Sequence, residues 1–137
     1  MFQSAAGHEK LTESIIECGI KVHEHFGPGL LESIYRQCVV IELERAGHRF
    51  DVGRRVPLTY RGVDLKSVFQ PDLVVEDVVV VELKAVEALT GVHSAQLITY
   101  LKLTGCPVGL LMNFNVPFLK QGVRRVSRPD LYVRDKP

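Results

Sequence analysis

Two neighbouring apolar segments carry charged residues that could act together in chemistry. The first, 70–75, contains Asp72, and the second, 79–84, contains Glu82 and Lys84. Both segments have the length and the valine content of buried strands. An unpaired charge in such surroundings costs on the order of several kcal/mol, so we expect the three groups to share a partner. A divalent cation suits two acids best, and this combination indicates metal-assisted phosphodiester chemistry.

Strand periodicity places these side chains relative to one another. Alternate residues face the same side, so Glu82 and Lys84 should project together while Leu83 points into the opposite layer. A hairpin would put Asp72 opposite or diagonal to Glu82, about 5 Å away. Direct opposition requires an odd number of connecting residues or a bulge, and the sequence leaves the register open.

Two carboxylates at that distance repel each other unless a cation neutralises them. Hard oxygen ligands select Mg²⁺ or Mn²⁺ rather than zinc. Such an ion would polarise a phosphoryl oxygen and lower the pKa of a coordinated water, while Lys84 orients that water or offsets charge in the transition state.

Composition limits the class of protein. A chain of 137 residues with 46% hydrophobic content can form one domain with its own core. Its three cysteines form no C-x-x-C pair, and residues 1–10 lack the pattern of a signal peptide, so we expect a cytoplasmic protein without a membrane span. A net charge of +1 gives no global attraction for nucleic acid, so any such partner must be held by a local patch or by the metal.

Two helices are predicted before the strands. The first stops at Gly27-Pro28-Gly29 and the second runs from there to Ala46-Gly47, forming a helical hairpin. The predicted apolar stripes are Leu11, Ile15, Cys18, Val22 and Phe26 in the first helix, and Leu31, Ile34, Cys38 and Ile41 in the second.

Three or four meandering strands, a helix and a further strand should follow. The predicted segments are Val56–Tyr60, Val63–Phe69, Asp72–Val75, Val78–Val86, a helix over Val92–Thr104 and a strand over Val108–Met112, with a loop, a short strand and a loose tail from Asn113 onward. Short turns make neighbouring strands antiparallel, whereas a crossover helix allows a parallel pair. We therefore predict an α/β fold with a mixed β-sheet flanked by helices.

Three motifs resemble one known superfamily. Pro71-Asp72, nine residues and then Glu82-Leu83-Lys84 resemble the signature of PD-(D/E)XK nucleases. The segment 29–35 resembles the G-x-x-E-x-x-Y motif of a family of small bacterial proteins in that superfamily, and 96–100 resembles a Q-x-x-x-Y element of its exonuclease-like branches. The resemblance implies a restriction-endonuclease-like core in α-α-β-β-β-α-β order. It also implies a single domain over 1–137, with the core at about 11–125 and a C-terminal tail at about 126–137.

The same resemblance implies roles in metal binding and catalysis. Asp72 and Glu82 would be metal ligands, with the carbonyl of Leu83 as a further ligand and Lys84 as the catalytic lysine. Glu32 would be an additional acid near the metal, where it could support a second cation. Its alternative role is a favourable interaction with the helix dipole.

Three more residues are implied to contact substrate or brace the site. Tyr35 would brace Glu32 or meet the substrate, and Gln96 and Tyr100 would contact phosphate or orient the lysine. Both tyrosines could instead be packing residues with hydrogen-bonded hydroxyls.

The leading hypothesis is a Mg²⁺- or Mn²⁺-dependent nuclease that acts on DNA rather than RNA, since the sequence offers no aromatic stacking array of the kind RNA readers use. The alternative is a nucleic-acid-binding or protein-interaction module that keeps the fold and cuts nothing. A chain this small has limited surface for gripping a duplex, so we also expect a homodimer or a protein partner.

Overall fold

The computed structural model describes residues 7–129, which form three layers of secondary structure. The helices are α1 (Glu9–Phe26), α2 (Glu32–Arg45) and α3 (Gly91–Thr104). The strands are β1 (Phe50–Val52), β2 (Val56–Tyr60), β3 (Val63–Phe69), β4 (Leu73–Val75), β5 (Val79–Lys84), β6 (Val108–Asn113) and β7 (Val123–Ser127). A 3₁₀ helix (Leu119–Gly122) leads into β7.

The central sheet is mixed, which confirms the predicted α/β class and its restriction-endonuclease-like architecture. Its five strands follow the order β1-β4-β5-β6-β7. Strands β5 and β6 are parallel and are joined by the α3 crossover, whereas the other neighbouring pairs are antiparallel. The predicted α-α-β-β-β-α-β order has three strands before the third helix and one after it, whereas the structure has five strands before α3 and two after it. The predicted segments did not include β1, a three-residue strand too short to show a period in the sequence.

Strands β2 and β3 form a separate two-stranded ribbon. Their antiparallel pairing was predicted, but the expectation that they continue the meander of the main sheet is wrong. The register shifts between Pro57 and Thr59, and Lys66 adopts a positive φ of 57° inside β3, irregularities of the kind that increase the local twist of a ribbon. Both strands of such a ribbon are edges, which agrees with the edge position predicted for Pro57.

The two faces of the sheet pack against different helices. Val79, Val81 and Leu83 of β5 join the larger core cluster with α1 and α2. Val80 lies on the other face in a smaller cluster with Leu97 of α3. Because side chains alternate along a strand, Glu82 lies on the α3 side, the face opposite Val81 and Leu83.

The stripe predicted for α2 is wrong. The helix buries Tyr35, Val39 and Leu43. By contrast, Leu31 is 73% exposed and Ile41 50% exposed. Apolar residues occur on more than one side of α2, so helical spacing alone did not identify the buried face.

Three further predictions concern the C-terminal tail, the cysteines and membrane-spanning helices. The tail expected from about residue 126 begins inside β7, which ends at Ser127, and its part from residue 130 onward lies outside the described residues. Cys18, Cys38 and Cys106 are all free thiols. In the described part of the chain, no helix combines the length and the apolar character needed to cross a membrane.

We predict that Gly122→Ala destabilises the protein. A Cβ at this position would lie 2.2 Å from the main-chain oxygen of Asn113, which belongs to β6 and cannot move without distorting the sheet. We expect the free energy of unfolding to fall by about 3 kcal/mol in urea denaturation. The control is Gly91→Ala, where nothing lies within 4 Å of the new Cβ and the change should stay below about 1 kcal/mol. Equal denaturation midpoints for the two variants would contradict this account.

Candidate active site

The turn between β4 and β5 sets the register of the candidate site. The strands are joined by the three residues 76–78, and the first two of these have positive φ values of 53° and 57°, the left-handed conformation of a tight hairpin. With this odd connection Leu73 pairs with Val81. The next pair along the same register is Asp72 with Glu82, the direct opposition that the sequence had left open.

Two reciprocal hydrogen bonds hold these acids side by side. The main-chain N–H of Asp72 donates to Oε2 of Glu82 at 2.7 Å. The main-chain N–H of Leu83 donates to Oδ2 of Asp72 at 2.9 Å. Each carboxylate is therefore fixed by the backbone of the strand that carries the other.

The electrostatics of the pair follow from its burial. Glu82 is only 8% exposed. Burial first, and then the negative charge of Asp72, raise the pKa of Glu82 to about 7, while the amide of Asp72 and the charge of Lys84 act in the opposite direction. The negative charge is thus incompletely compensated by the protein, and an added cation would be stabilised beside the pair.

Lys84 ends β5 and pairs with Asn113 at the end of the parallel strand β6. The buried Asn113 side chain accepts a hydrogen bond from the N–H of Val86 at 3.1 Å and donates one to its carbonyl at 2.9 Å. These bonds fix the chain immediately after Lys84. Asn113 was not among the residues predicted from the sequence, although a lone amide ending an otherwise apolar strand was the available signal.

Helix α2 brings two charged residues to the same end of β5. Oε2 of Glu32 accepts a hydrogen bond from the N–H of Ala85 at 3.2 Å. One turn further along, Nη1 of Arg36 donates to Oδ1 of Asp72 at 3.3 Å. Arg36 was also missed, and its spacing of four residues from Glu32 was the signal that could have revealed it.

Helix α3 contributes Tyr100 and Gln96. Burial and then the charge of Glu82 raise the pKa of Tyr100, while a hydrogen bond from its neighbour Gln96 lowers it. The ring of Tyr100 stacks on Phe69 of the ribbon, with centroids 4.6 Å apart and planes at 20°. Tyr100 therefore lies within electrostatic range of Glu82, with Gln96 beside it, and contact of the two residues with phosphate or with Lys84 stays a prediction.

Tyr35 has the position expected for the second of its two predicted roles, a packing residue with a hydrogen-bonded hydroxyl. The residue has no exposed surface, and its ring stacks on Phe114 at a centroid distance of 4.4 Å. Its hydroxyl donates to the carbonyl of Gly27 at 2.6 Å and accepts from the N–H of Leu30 at 3.1 Å. Tyr35 therefore braces the connection between α1 and α2, and its side chain does not reach solvent.

The oxygen donors of the site fit a small divalent cation. Across residues 7–129, no three Asp, Glu, His or Cys side chains form a group that could hold a metal ion. Mg²⁺, however, is commonly bound in proteins through one or two carboxylates, with waters and substrate phosphates completing the shell. Asp72 and Glu82 meet that requirement, whereas Glu32 and the carbonyl of Leu83 remain predicted ligands.

Comparison with known proteins adds one finding. A family model described as the PD-(D/E)XK nuclease superfamily matches residues 9–126. This range contains all three helices, the ribbon and each candidate residue described above. No curated protein and no solved structure gives a significant match.

We predict that Glu82→Gln changes the pH dependence of stability. The pKa of Glu82 is raised from 4.5 to about 7 in the folded protein, so the native state retains a proton that the unfolded chain has released. The stabilisation from this proton is complete below about pH 4.5 and is lost as the pH rises through about 7. Without a metal, the melting temperature of wild type should fall more steeply than that of the variant between about pH 5 and about pH 8.

Differential scanning fluorimetry in EDTA tests this difference. Glutamine can still accept the hydrogen bond from Asp72, so the comparison isolates the charge. The matched control is Glu44→Gln, an exposed position on α2, which should follow the wild-type curve. A constant offset between wild type and Glu82→Gln at every pH would contradict the prediction.

Proposed function

Because the chain belongs to the PD-(D/E)XK nuclease superfamily, we propose that it is a Mg²⁺- or Mn²⁺-dependent nuclease that hydrolyses phosphodiester bonds of DNA. Nucleases of this superfamily generally use divalent metals. The observation that carries the proposal is the Asp72–Glu82 pair, in which burial and mutual repulsion raise the pKa of Glu82 to about 7. A site with this excess of buried negative charge favours a cation in the same place where catalysis needs one.

In this proposal Asp72 and Glu82 hold the ion, and Glu32 and the carbonyl of Leu83 are further candidate ligands. When bound, the ion supplies a Lewis acid for the phosphoryl oxygen and lowers the pKa of coordinated water. The main-chain bonds between the acids keep both carboxylates oriented before the ion arrives, which limits the reorganisation required on binding.

The remaining residues act on water and substrate. Nζ of Lys84 hydrogen-bonds to the attacking water and offsets negative charge on the phosphoryl oxygens. The hydroxyl of Tyr100 and the amide of Gln96 bind a neighbouring phosphate. Asn113 positions the lysine by fixing the main chain at Val86, two residues beyond it.

DNA is proposed over RNA on composition. The chain has no tryptophan and 7% aromatic residues, which argues against the stacking platforms that single-stranded RNA readers use. The motif at 29–35 supports membership of the GxxExxY branch of the superfamily. The three free thiols support a cytoplasmic location.

A homodimer is also part of the proposal. The ribbon exposes Tyr60 (64%), Val63 (62%) and Leu65 (47%), apolar surface that a second copy would cover. Sedimentation velocity at micromolar concentration should give the mass of a dimer. A monomeric mass would exclude it and leave the proposed chemistry unaffected.

Metal-dependent cleavage is the direct test of the function. Purified protein should cut single- or double-stranded DNA in Mg²⁺ or Mn²⁺ and not in EDTA. Asp72→Asn and Lys84→Ala should each abolish cleavage, because the first removes a ligand charge and the second removes the group that orients water. We expect losses of at least about 100-fold, measured on labelled substrates with far-UV circular dichroism to confirm folding.

Two results would contradict the nuclease function. Cleavage that survives in either variant would show that the activity resides elsewhere. Tight DNA binding without product in any divalent ion would favour the alternative, a binding module that retains the nuclease fold.

A further inference from the structure

We propose that Arg36 is a phosphate-binding residue of this site, which Asp72 holds until a cation neutralises that carboxylate. This inference rests on the proposed nuclease function and adds a way in which metal and substrate binding are coupled. Arg36 follows the G-x-x-E-x-x-Y segment by one residue and belongs to none of the three motifs found in the sequence.

The contact between Arg36 and Asp72 is suited to exchange. The distance from Nη1 to Oδ1 is 3.3 Å, longer than the roughly 2.7–2.9 Å of strong charge-assisted bonds. The arginine side chain is 41% exposed and the aspartate side chain 25% exposed. Solvent therefore weakens the pair, and a partner arriving from solution can reach the guanidinium.

The same contact occupies the carboxylate oxygen that a cation would use. Oδ2 of Asp72 already accepts the N–H of Leu83, so Oδ1 is the oxygen facing Arg36. A metal ion and a guanidinium at one carboxylate repel each other. Binding of the ion must therefore weaken the hold of Asp72 on Arg36, and by thermodynamic linkage Arg36 must weaken binding of the ion.

A released guanidinium at this position would face the substrate. Arg36 lies one helical turn beyond Glu32, whose carboxylate contacts the chain at the end of β5. A planar guanidinium matches the geometry of phosphate oxygens and keeps its charge at any physiological pH. The arginine thus exchanges an internal carboxylate for a phosphate of the DNA backbone when the metal is present.

This mechanism differs from that of a purely structural ion pair. A structural pair predicts that loss of Arg36 lowers stability and affects DNA binding equally with and without metal. If Arg36 instead exchanges Asp72 for a phosphate, loss of Arg36 should lower DNA affinity only when metal is present. It should also tighten metal binding in the absence of DNA.

Fluorescence anisotropy with a short labelled duplex can distinguish the exchange from a structural ion pair. The measurements use a Lys84→Ala background, so that the substrate stays intact, and compare Mn²⁺ with EDTA. In Mn²⁺, Arg36→Gln should weaken DNA binding about tenfold and reduce the slope of log affinity against log salt by about 0.9, the value for one phosphate contact. In EDTA, Arg36→Gln should leave the DNA affinity unchanged.

Two further variants control for charge and for helix position. Arg36→Lys should retain part of the affinity, because a point charge replaces a two-pronged contact. Arg45→Gln removes the same charge from the last turn of α2, about 13 Å further along the helix, and should leave the binding unchanged. Thermal melts of each variant confirm that the proteins compared are folded.

Calorimetry of Mn²⁺ binding without DNA provides the second measurement. Arg36→Gln should bind Mn²⁺ at least about threefold more tightly than its parent, because the competing cation is gone. Unchanged Mn²⁺ affinity, or an equal loss of DNA affinity in Mn²⁺ and EDTA, would overturn the inference while leaving the nuclease function intact. Failure of the parent protein itself to bind Mn²⁺ would instead overturn the proposed function.

Discussion

The reciprocal main-chain hydrogen bonds between Asp72 and Glu82 are the constraint on which the rest of the site depends. Two carboxylates that repel would normally turn apart, but here each accepts an N–H from the strand carrying the other. Turning either side chain away would leave a buried amide without a partner, which costs about 1–3 kcal/mol. Repulsion is therefore relieved only by a proton or by a cation, and the pair becomes sensitive to both.

The position of this pair explains why so many different elements contribute to the site. The parallel strands β5 and β6 end at Lys84 and Asn113, and ligands of open α/β sheets bind beyond the carboxyl ends of such strands. Helix α2 approaches that edge from one face of the sheet, through Glu32 and Arg36. Helix α3 approaches from the other face. The acids thus lie where the edge of the sheet, α2 and α3 converge.

Strand periodicity predicted the acids and the lysine of the site, whereas Glu32, Gln96 and Tyr100 were implied by the family resemblance. Valine-rich runs identify β4 and β5, and a period of two places Glu82 and Lys84 on one face. The register between the strands depends instead on Glu76 and Asp77, which adopt positive φ values. Asn-Gly or Asp-Gly would have indicated such a turn clearly, whereas Glu-Asp gives a weaker signal, because aspartate tolerates the left-handed conformation but glutamate rarely adopts it. Local sequence therefore indicated Asp72, Glu82 and Lys84, but it left the register between their strands undetermined.

The rotation of α2 was beyond prediction for a related reason. The stripe through Ile34 and Ile41 is apolar, yet the helix buries Tyr35, because its ring stacks on Phe114 and its hydroxyl bonds to the preceding turn. Each residue turns the helix face by about 100°, so burial of position 35 determines where position 36 points. Tyr35, for which packing was one of the predicted roles, thus fixes the helix rotation that directs Arg36 at the acidic pair.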